Sequence, residues 1–364
     1  MVIPTRRFGG RMTMRNQAMV MTDVRRFELQ NMPMPEIGPD DVGIAVRSVG
    51  ICGSDMGFFT GKAFSIFPNS LPFILGHECA GVVYAVGSRV QNLQAGDRVA
   101  VEPGVPCGRC EFCESGRYNL CPEVRFLATP PVGGCLQRYI RHPAHKTYRL
   151  PDGVSFREGA LVEPLSVGIH AVQRGRVHVG STVAILGAGC IGMCTLLAAK
   201  AWGASRILVS DVVSNRLDMA LRLGATRVVN SRENNAVEAI LAMTEGAGAD
   251  VVFETAGIPA TASQTSHIVK KGGTIVLVGN ILQDVPFSFR NLYKKEAEVR
   301  AVFRYCNTYP TAIEAVANGR LDANAIVTNR YDFADAEQAF CRAVDDKENC
   351  VKCMISIGAE EEGV

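Results

Sequence analysis

Gly187-Ala-Gly189-Cys-Ile-Gly192 stands between an all-apolar run, Thr182-Val-Ala-Ile-Leu186, and helical text over 191–202. That setting leaves the chain few folds. A short apolar strand of this kind suits burial on both faces of a parallel sheet. Parallel neighbours require crossover connections, which are usually helices. The alternation continues, with strands expected at 206–210, 228–229, 250–253 and 274–278 and a helix over 214–223. The expected architecture is α/β, a doubly wound parallel sheet. Within the turn, Gly187 allows the tight bend, Gly189 lets the backbone approach a pyrophosphate, and Gly192 allows close helix packing. The N–H groups opening the helix face the phosphates. Asp211 ends the next strand, about twenty residues beyond the turn, where a carboxylate suits the ribose hydroxyls and repels a 2′-phosphate. The cofactor expected is therefore NAD. A helix-capping role for Asp211 is the plainer alternative, and the complete βαβ setting argues against it. Arg216 complicates the reading, because a nearby arginine can serve a 2′-phosphate or lie against the adenosine.

The preceding text has a different texture. From about residue 20 to 150 it is rich in Val, Gly and Pro, and 44–49, 81–86 and 98–101 read as strands. That half is expected to be mostly β, with few long helices. After residue 307, helical text at 311–318 and a final strand at 351–357 are expected to return to this first domain. The boundaries are set at 19–163 with 307–364 for the first domain and 164–306 for the nucleotide domain. Residues 1–18 form an extension expected to be disordered, with foldable text starting near Met19. Arg6, Arg7, Arg11 and Arg15 precede any acid, which fits a transit peptide. Scarce serine and Gly9-Gly10 favour a disordered arm or an upstream start codon.

Two groups of residues suggest metal. Cys107, Cys110, Cys113 and Cys121 have the spacing of a closed, tetrahedral structural zinc site. Four free thiols so close together, or a nucleic-acid zinc ribbon, are the alternatives. Glu111 and Glu114 offset Arg109 and Arg117, so the segment is not notably basic. The second group is dispersed: Cys52 and His77 as ligands, with Glu78 and Glu163 able to bind zinc directly or to hold its water. Each alone reads equally well as structural; their joint occurrence describes an open site with a place for substrate. Cys79, Cys190, Cys194, Cys306, Cys341, Cys350 and Cys353 read as buried or incidental thiols.

Composition excludes other classes. The 364 residues hold 38 Lys+Arg against 36 Asp+Glu, with no long basic run, so nucleic acid is not the expected partner. No stretch is apolar for long enough to cross a bilayer, so no membrane partner is expected. Thirteen cysteines with CxxC spacing and no signal peptide suggest a cytoplasmic metalloprotein and not a disulfide scaffold.

These segments together resemble the zinc-containing medium-chain alcohol dehydrogenases, and within them the sorbitol/xylitol-type polyol dehydrogenases. The resemblance rests on Val49-Gly-Ile-Cys52-Gly-Ser-Asp55, Leu75-Gly-His77-Glu78, Gly116-Arg-Tyr-Asn-Leu-Cys121, Ala128-Thr-Pro-Pro131, 161–170 and Val302-Phe-Arg304-Tyr305-Cys-Asn307. It covers nearly everything from Met19 to about Ile357. It implies a GroES-like β core for the first domain and a Rossmann fold for the second. It also implies two zincs per chain and a homotetramer or homodimer. By this resemblance Cys52, His77 and Glu78 hold the catalytic zinc, and Glu163 contacts its water. Arg304 and Tyr305 approach a small polyol substrate, Arg304 also on the nicotinamide side. Ile191, Asp211, Arg216, Val278, Gly279 and Phe303 contact NAD.

The implied reaction is reversible oxidation of a polyol secondary alcohol to a ketose. Ser54, two residues after Cys52, is placed to bond the reacting oxygen and start a proton relay, with Glu163 next. Phe58 and Phe126 are expected as apolar walls. Phe58 and Gly57 replace a tyrosine and a histidine of animal sorbitol dehydrogenases, which also lack the cysteine quartet. L-threonine dehydrogenase, a sugar-acid dehydrogenase and a non-catalytic zinc- and nucleotide-binding protein are the alternatives.

Overall fold

The structure, a computed structural model, describes residues 14–358. The arginines expected to form an N-terminal arm lie largely outside that range. The first strand, Asn16–Asp23, begins ahead of Met19.

The first domain is built on a mixed sheet. Its order runs Thr147–Arg149, Arg98–Val101, Glu78–Val86, Asp41–Gly50, Cys353–Ser356, Asn329–Asp332, and Tyr139–Pro143 also pairs with Asp41–Gly50. Asn16–Asp23 pairs with Arg26–Met32 and Phe73–Ile74 in a small second sheet. The interior between them is apolar, with Val42, Ile44, Val46, Val83, Val99 and Ile355 among its fully buried members. Register brings three chain segments to one end of the main sheet. Gly50 lies opposite Glu78 on one side and opposite Met354 on the other. The C-terminal strand Cys353–Ser356 thus pairs within the first domain's sheet.

The second domain holds six parallel strands in the order Arg227–Asn230, Arg206–Asp211, Thr182–Leu186, Ala249–Glu254, Val269–Leu277, Glu298–Ala301. This is the doubly wound order, whose crevice opens where the strand sequence reverses. All five residues of Thr182–Leu186 are buried, as the apolar run requires.

A helix of 20 residues, Phe156–Gly175, spans the expected boundary at 163/164. Ser155 and Glu158 cap it reciprocally, Ser155 Oγ accepting from the Glu158 amide at 3.2 Å and Glu158 Oε2 from the Ser155 amide at 2.8 Å. A Cβ at Gly159 would lie 2.9 Å from the Ala80 side chain, and one at Gly168 would lie 2.6 Å from the Cys194 backbone. One face thus touches the first sheet, and the other crosses helix Cys190–Ala201 closely. The helix joins the two domains and does not end where one begins. Among the described residues, no helix is long and apolar enough to cross a membrane.

Candidate active site

Cys52 follows the strand that ends at Gly50 and caps the short helix Gly53–Phe59. The side chain of Asp55 reaches back to accept the Cys52 amide at 3.1 Å. Its other oxygen accepts the Gly76 amide at 3.1 Å and lies 3.4 Å from His77 Nδ1. One buried carboxylate thus ties the loop carrying Cys52 to the loop carrying His77. It also occupies Nδ1, leaving Nε2 as the ring's ligand atom. Burial alone would lower the His77 pKa, but Asp55 and Cys52 outweigh it and hold it well above the ordinary value.

Glu78 opens strand Glu78–Val86 and is 1% exposed. It forms an ion pair with Lys352, equally buried, whose Nζ also donates to the Ile51 carbonyl at 3.0 Å. A Cβ at position 50 would collide with Glu78 Oε2, so only glycine fits beside it. One ligand atom each from Cys52, His77 and Glu78 lies within 4.8 Å of the others. A thiolate, an imidazole and a carboxylate at that spacing suit zinc and leave its fourth tetrahedral position for substrate.

Glu163 stands outside this trio. It is buried on helix Phe156–Gly175 and its Oε1 accepts from the Tyr305 hydroxyl at 2.9 Å. Burial, reinforced by Glu78, pushes its pKa up to about 7 against the pull of His77 and Tyr305. Tyr305 is itself buried against Tyr309, so its reach is to Glu163 and not into open space. Phe126 lies 5.4 Å from the His77 ring, and the Arg304 guanidinium covers Phe126 at 4.5 Å and Phe303 at 4.8 Å. Arg304 makes no ion pair with a described carboxylate, and its buried Nη1 has no hydrogen-bond partner. Ser54 is exposed on the first turn of its helix. Phe58, expected as an apolar wall, is 5% exposed and packed on Phe67 and Phe73.

The cysteine quartet also converges, with its four sulfurs within 4.8 Å of one another. Cys110 Sγ lies 3.4 Å from Cys113 Sγ, and Cys121 Sγ accepts the Cys107 amide at 3.3 Å. Four thiolates leave no vacant position on a tetrahedral ion, which suits a structural zinc.

At the nucleotide end, Gly187 has φ +107°. A Cβ at Gly192 would sit 1.9 Å from the Gly187 carbonyl oxygen. Ile191 lies in the first turn of helix Cys190–Ala201 beyond. Asp211 accepts the Ala188 amide at 2.6 Å and the Val213 amide at 2.9 Å, so it holds the glycine turn as well as ending its strand. The amides of Val278 and Gly279 donate to the Glu254 carbonyl at 2.8 and 2.9 Å. Phe303 is exposed just after the last strand of this sheet, Glu298–Ala301. Arg216 Nη2 donates to the Cys350 carbonyl at 3.1 Å, a contact that links the nucleotide domain to the C-terminal segment.

Asp55, Lys352 and Glu254 escaped the sequence reading. Glu254, fully buried, accepts the amides of Ala256 and Gly257 and the Thr261 hydroxyl through Oε1, shaping the turn opposite Gly187. Asp55 was detectable as an acid three residues after a helix start. Lys352 was detectable as one charge within an otherwise apolar terminal strand.

Comparison with known proteins agrees with both halves. Residues 38–152 match the alcohol dehydrogenase GroES-like domain, and residues 190–318 match the zinc-binding dehydrogenase domain. The chain is 45% identical over 340 residues to sorbitol dehydrogenase of Bacillus subtilis, covering 93% of this chain and 96% of that one. It is 39% identical over 348 residues to L-idonate 5-dehydrogenase of Vitis vinifera, covering 94% and 95%. A solved Escherichia coli oxidoreductase of unknown specificity superposes with a TM-score of 0.92 at 44% identity, covering 95% of this chain and 100% of that one. The chain belongs to the zinc-binding alcohol dehydrogenase family.

Proposed function

We propose that this zinc-binding dehydrogenase oxidises a secondary hydroxyl of a small polyol to a ketose, reversibly and with NAD. The observation that carries the reading is Arg304. A guanidinium lodged between Phe126 and Phe303, near His77 and without a carboxylate partner, keeps donors available for hydroxyls along a substrate chain. Zinc held by Cys52, His77 and Glu78 supplies Lewis-acid polarisation of the reacting oxygen. Ser54 is the first proton acceptor and relays toward solvent. Glu163, oriented by Tyr305, takes a proton within the buried part of the site. Phe126 excludes water above His77. Gly187, Gly189 and Gly192 would hold the pyrophosphate of the dinucleotide, whose nicotinamide would supply the hydride-accepting chemistry. Asp211 favours NAD through its charge. Cys107, Cys110, Cys113 and Cys121 hold the second zinc. All thirteen cysteines are free of disulfides, which fits a reducing, cytoplasmic setting.

The same unpartnered guanidinium suits a sugar-acid carboxylate, the chemistry of the idonate-oxidising relative. A panel of C4 to C6 polyols, idonate, threonine and ethanol, each with NAD and NADP, separates the readings. The expected result is the highest kcat/KM on sorbitol, xylitol or a related polyol with NAD. Arg304→Ala should reduce kcat/KM for that polyol far more than for a simple secondary alcohol. A wild-type preference for idonate transfers the assignment to sugar acids; a preference for ethanol or threonine ends it.

A further inference from the structure

The catalytic reading leaves one set of contacts unexplained. The second half of the cysteine lobe is fastened to the segment that carries Arg304 and Tyr305, and it is fastened at both ends. Asn119, 8% exposed, donates from Nδ2 to the Phe303 carbonyl at 2.9 Å. The Asn307 amide donates to the Tyr118 hydroxyl at 2.8 Å, and Asn307 Nδ2 donates to the Gly116 carbonyl at 2.8 Å. Between these points the backbone is strained. Arg304 has φ +55°, in the left-handed region that long side chains avoid, and Asn307, a residue that tolerates that region, has φ +58°. Such a conformation persists only where its surroundings over-determine it.

The lobe side of this clamp is itself rigid. Lys146 Nζ sits 3.5 Å from the Tyr118 ring centre, and it is paired with buried Glu102 at 3.1 Å. Tyr148 donates to the other Glu102 oxygen at 2.8 Å. Cys121, one of the quartet, follows Asn119 by two residues. The chain of support runs from quartet and Glu102–Lys146 pair, through Tyr118 and Asn119, to the Arg304 turn. At its far end Arg304 covers Phe126, and Tyr305 reaches Glu163.

We infer that the cysteine lobe positions the substrate-binding segment, with Asn119 and Tyr118 as positioning residues that hold Arg304 in place for the substrate and Tyr305 in place for Glu163. The inference rests on the polyol reading for what Arg304 grips, but the hold on residues 303–307 is a property of this chain alone. A lobe that only added stability would need no bonds placed on both sides of this one turn.

The test uses full-length, zinc-loaded Asn119→Ala. Amide hydrogen exchange across 302–307 should quicken while metal content stays unchanged. Unchanged exchange there overturns the inference whatever the substrate proves to be. In kinetics, KM for the preferred polyol should rise about tenfold, the size of one lost hydrogen bond, with 2-propanol affected far less. In an Arg304→Ala background the Asn119→Ala effect on the polyol should vanish, because one acts through the other. The rise in melting temperature that the polyol gives the NADH complex should also shrink. Equal losses on both alcohols, or losses that add to those of Arg304→Ala, overturn it. If Asn119→Ala does not accumulate, Tyr118→Phe cuts the other end and is read the same way. Failure of the polyol reading has a separate signature: wild-type enzyme prefers 2-propanol, while the exchange effect of Asn119→Ala remains.

Discussion

Lys352 is the residue on which the metal trio most depends without belonging to it. Its ammonium and the Glu78 carboxylate are both 1% exposed. Burial lowers the lysine pKa, but Glu78, followed by Cys190 and Cys52, raises it by more, so the ammonium stays charged. Taking away one member of a buried pair strands the other. Lys352→Met should therefore lower unfolding free energy by about 3–5 kcal/mol, as urea titration of the two proteins would measure. A loss within the range of surface substitutions would mean that Glu78 finds another partner. His142 supplies a second residue-scale expectation. It is buried in strand Tyr139–Pro143, where desolvation pushes its pKa down to about 4. The native state refuses a proton that the unfolded chain accepts near its ordinary value of about 6.5. Stability is thus complete above that value and falls as pH drops toward 4. Between pH 7 and 5 the loss from this group should be about 2 kcal/mol. His142→Asn should flatten that slope in urea titrations at the two pH values. At this scale the convergence of Cys52, His77 and Glu78 was legible, because these residues declare their chemistry by type. The surroundings of Phe58 and Arg216 were not. Whether a phenylalanine lines a cleft or fills a core depends on Phe67 and Phe73, and whether an arginine meets nucleotide or Cys350 depends on how domains dock.

Elements were read well where period and punctuation agreed. The strands around Thr182–Leu186 and the helix Ser214–Leu223 lie where apolar runs and periodicity put them. Helix Phe156–Gly175 was the exception. Pro164 sits inside it and reads as a breaker in isolation, yet packing on both domains carries the helix through. The cysteine lobe is the opposite kind of element, short and poor in apolar core. Its only regular pieces are helix Glu111–Glu114 and the turn Tyr118–Leu120. With so little to bury, a metal held by its four thiolates would add folding energy to the contacts that Tyr118 and Asn119 make. Cys110→Ser should cost about one of two zinc equivalents, one per site type, and lower the melting temperature. Atomic absorption and a thermal scan on the same preparation would check both. Full metal content with an unshifted melting temperature would refute a structural zinc in the quartet.

For the whole molecule, the doubly wound order was legible because strand–helix alternation admits few topologies. An assembly is expected only from the family resemblance, since no periodicity reports which surface stays uncovered. The fold supplies a physical reason for it. Glu298–Ala301 pairs on one side only, with Val269–Leu277, and so ends the six-stranded sheet on an open edge. An open edge presents unsatisfied N–H and C=O groups, and soluble proteins cover or blunt such edges. This one is accompanied by Val299 and by Phe289 and Tyr293, which are 76% and 87% exposed on and beside helix Phe289–Lys295. Aromatic residues left this open are characteristic of interfaces. Two copies joined edge to edge about a two-fold axis would satisfy the backbone and bury these rings together. The protein is accordingly expected to run as a dimer or tetramer in light scattering. Val299→Lys combined with Tyr293→Glu should shift it toward smaller species by placing charges in the contact, while one zinc quartet and one Cys52–His77–Glu78 trio per chain are retained. A monomeric wild type would remove the interface. An oligomer unchanged by the double substitution would move it to another face and leave this edge to be covered in some other way.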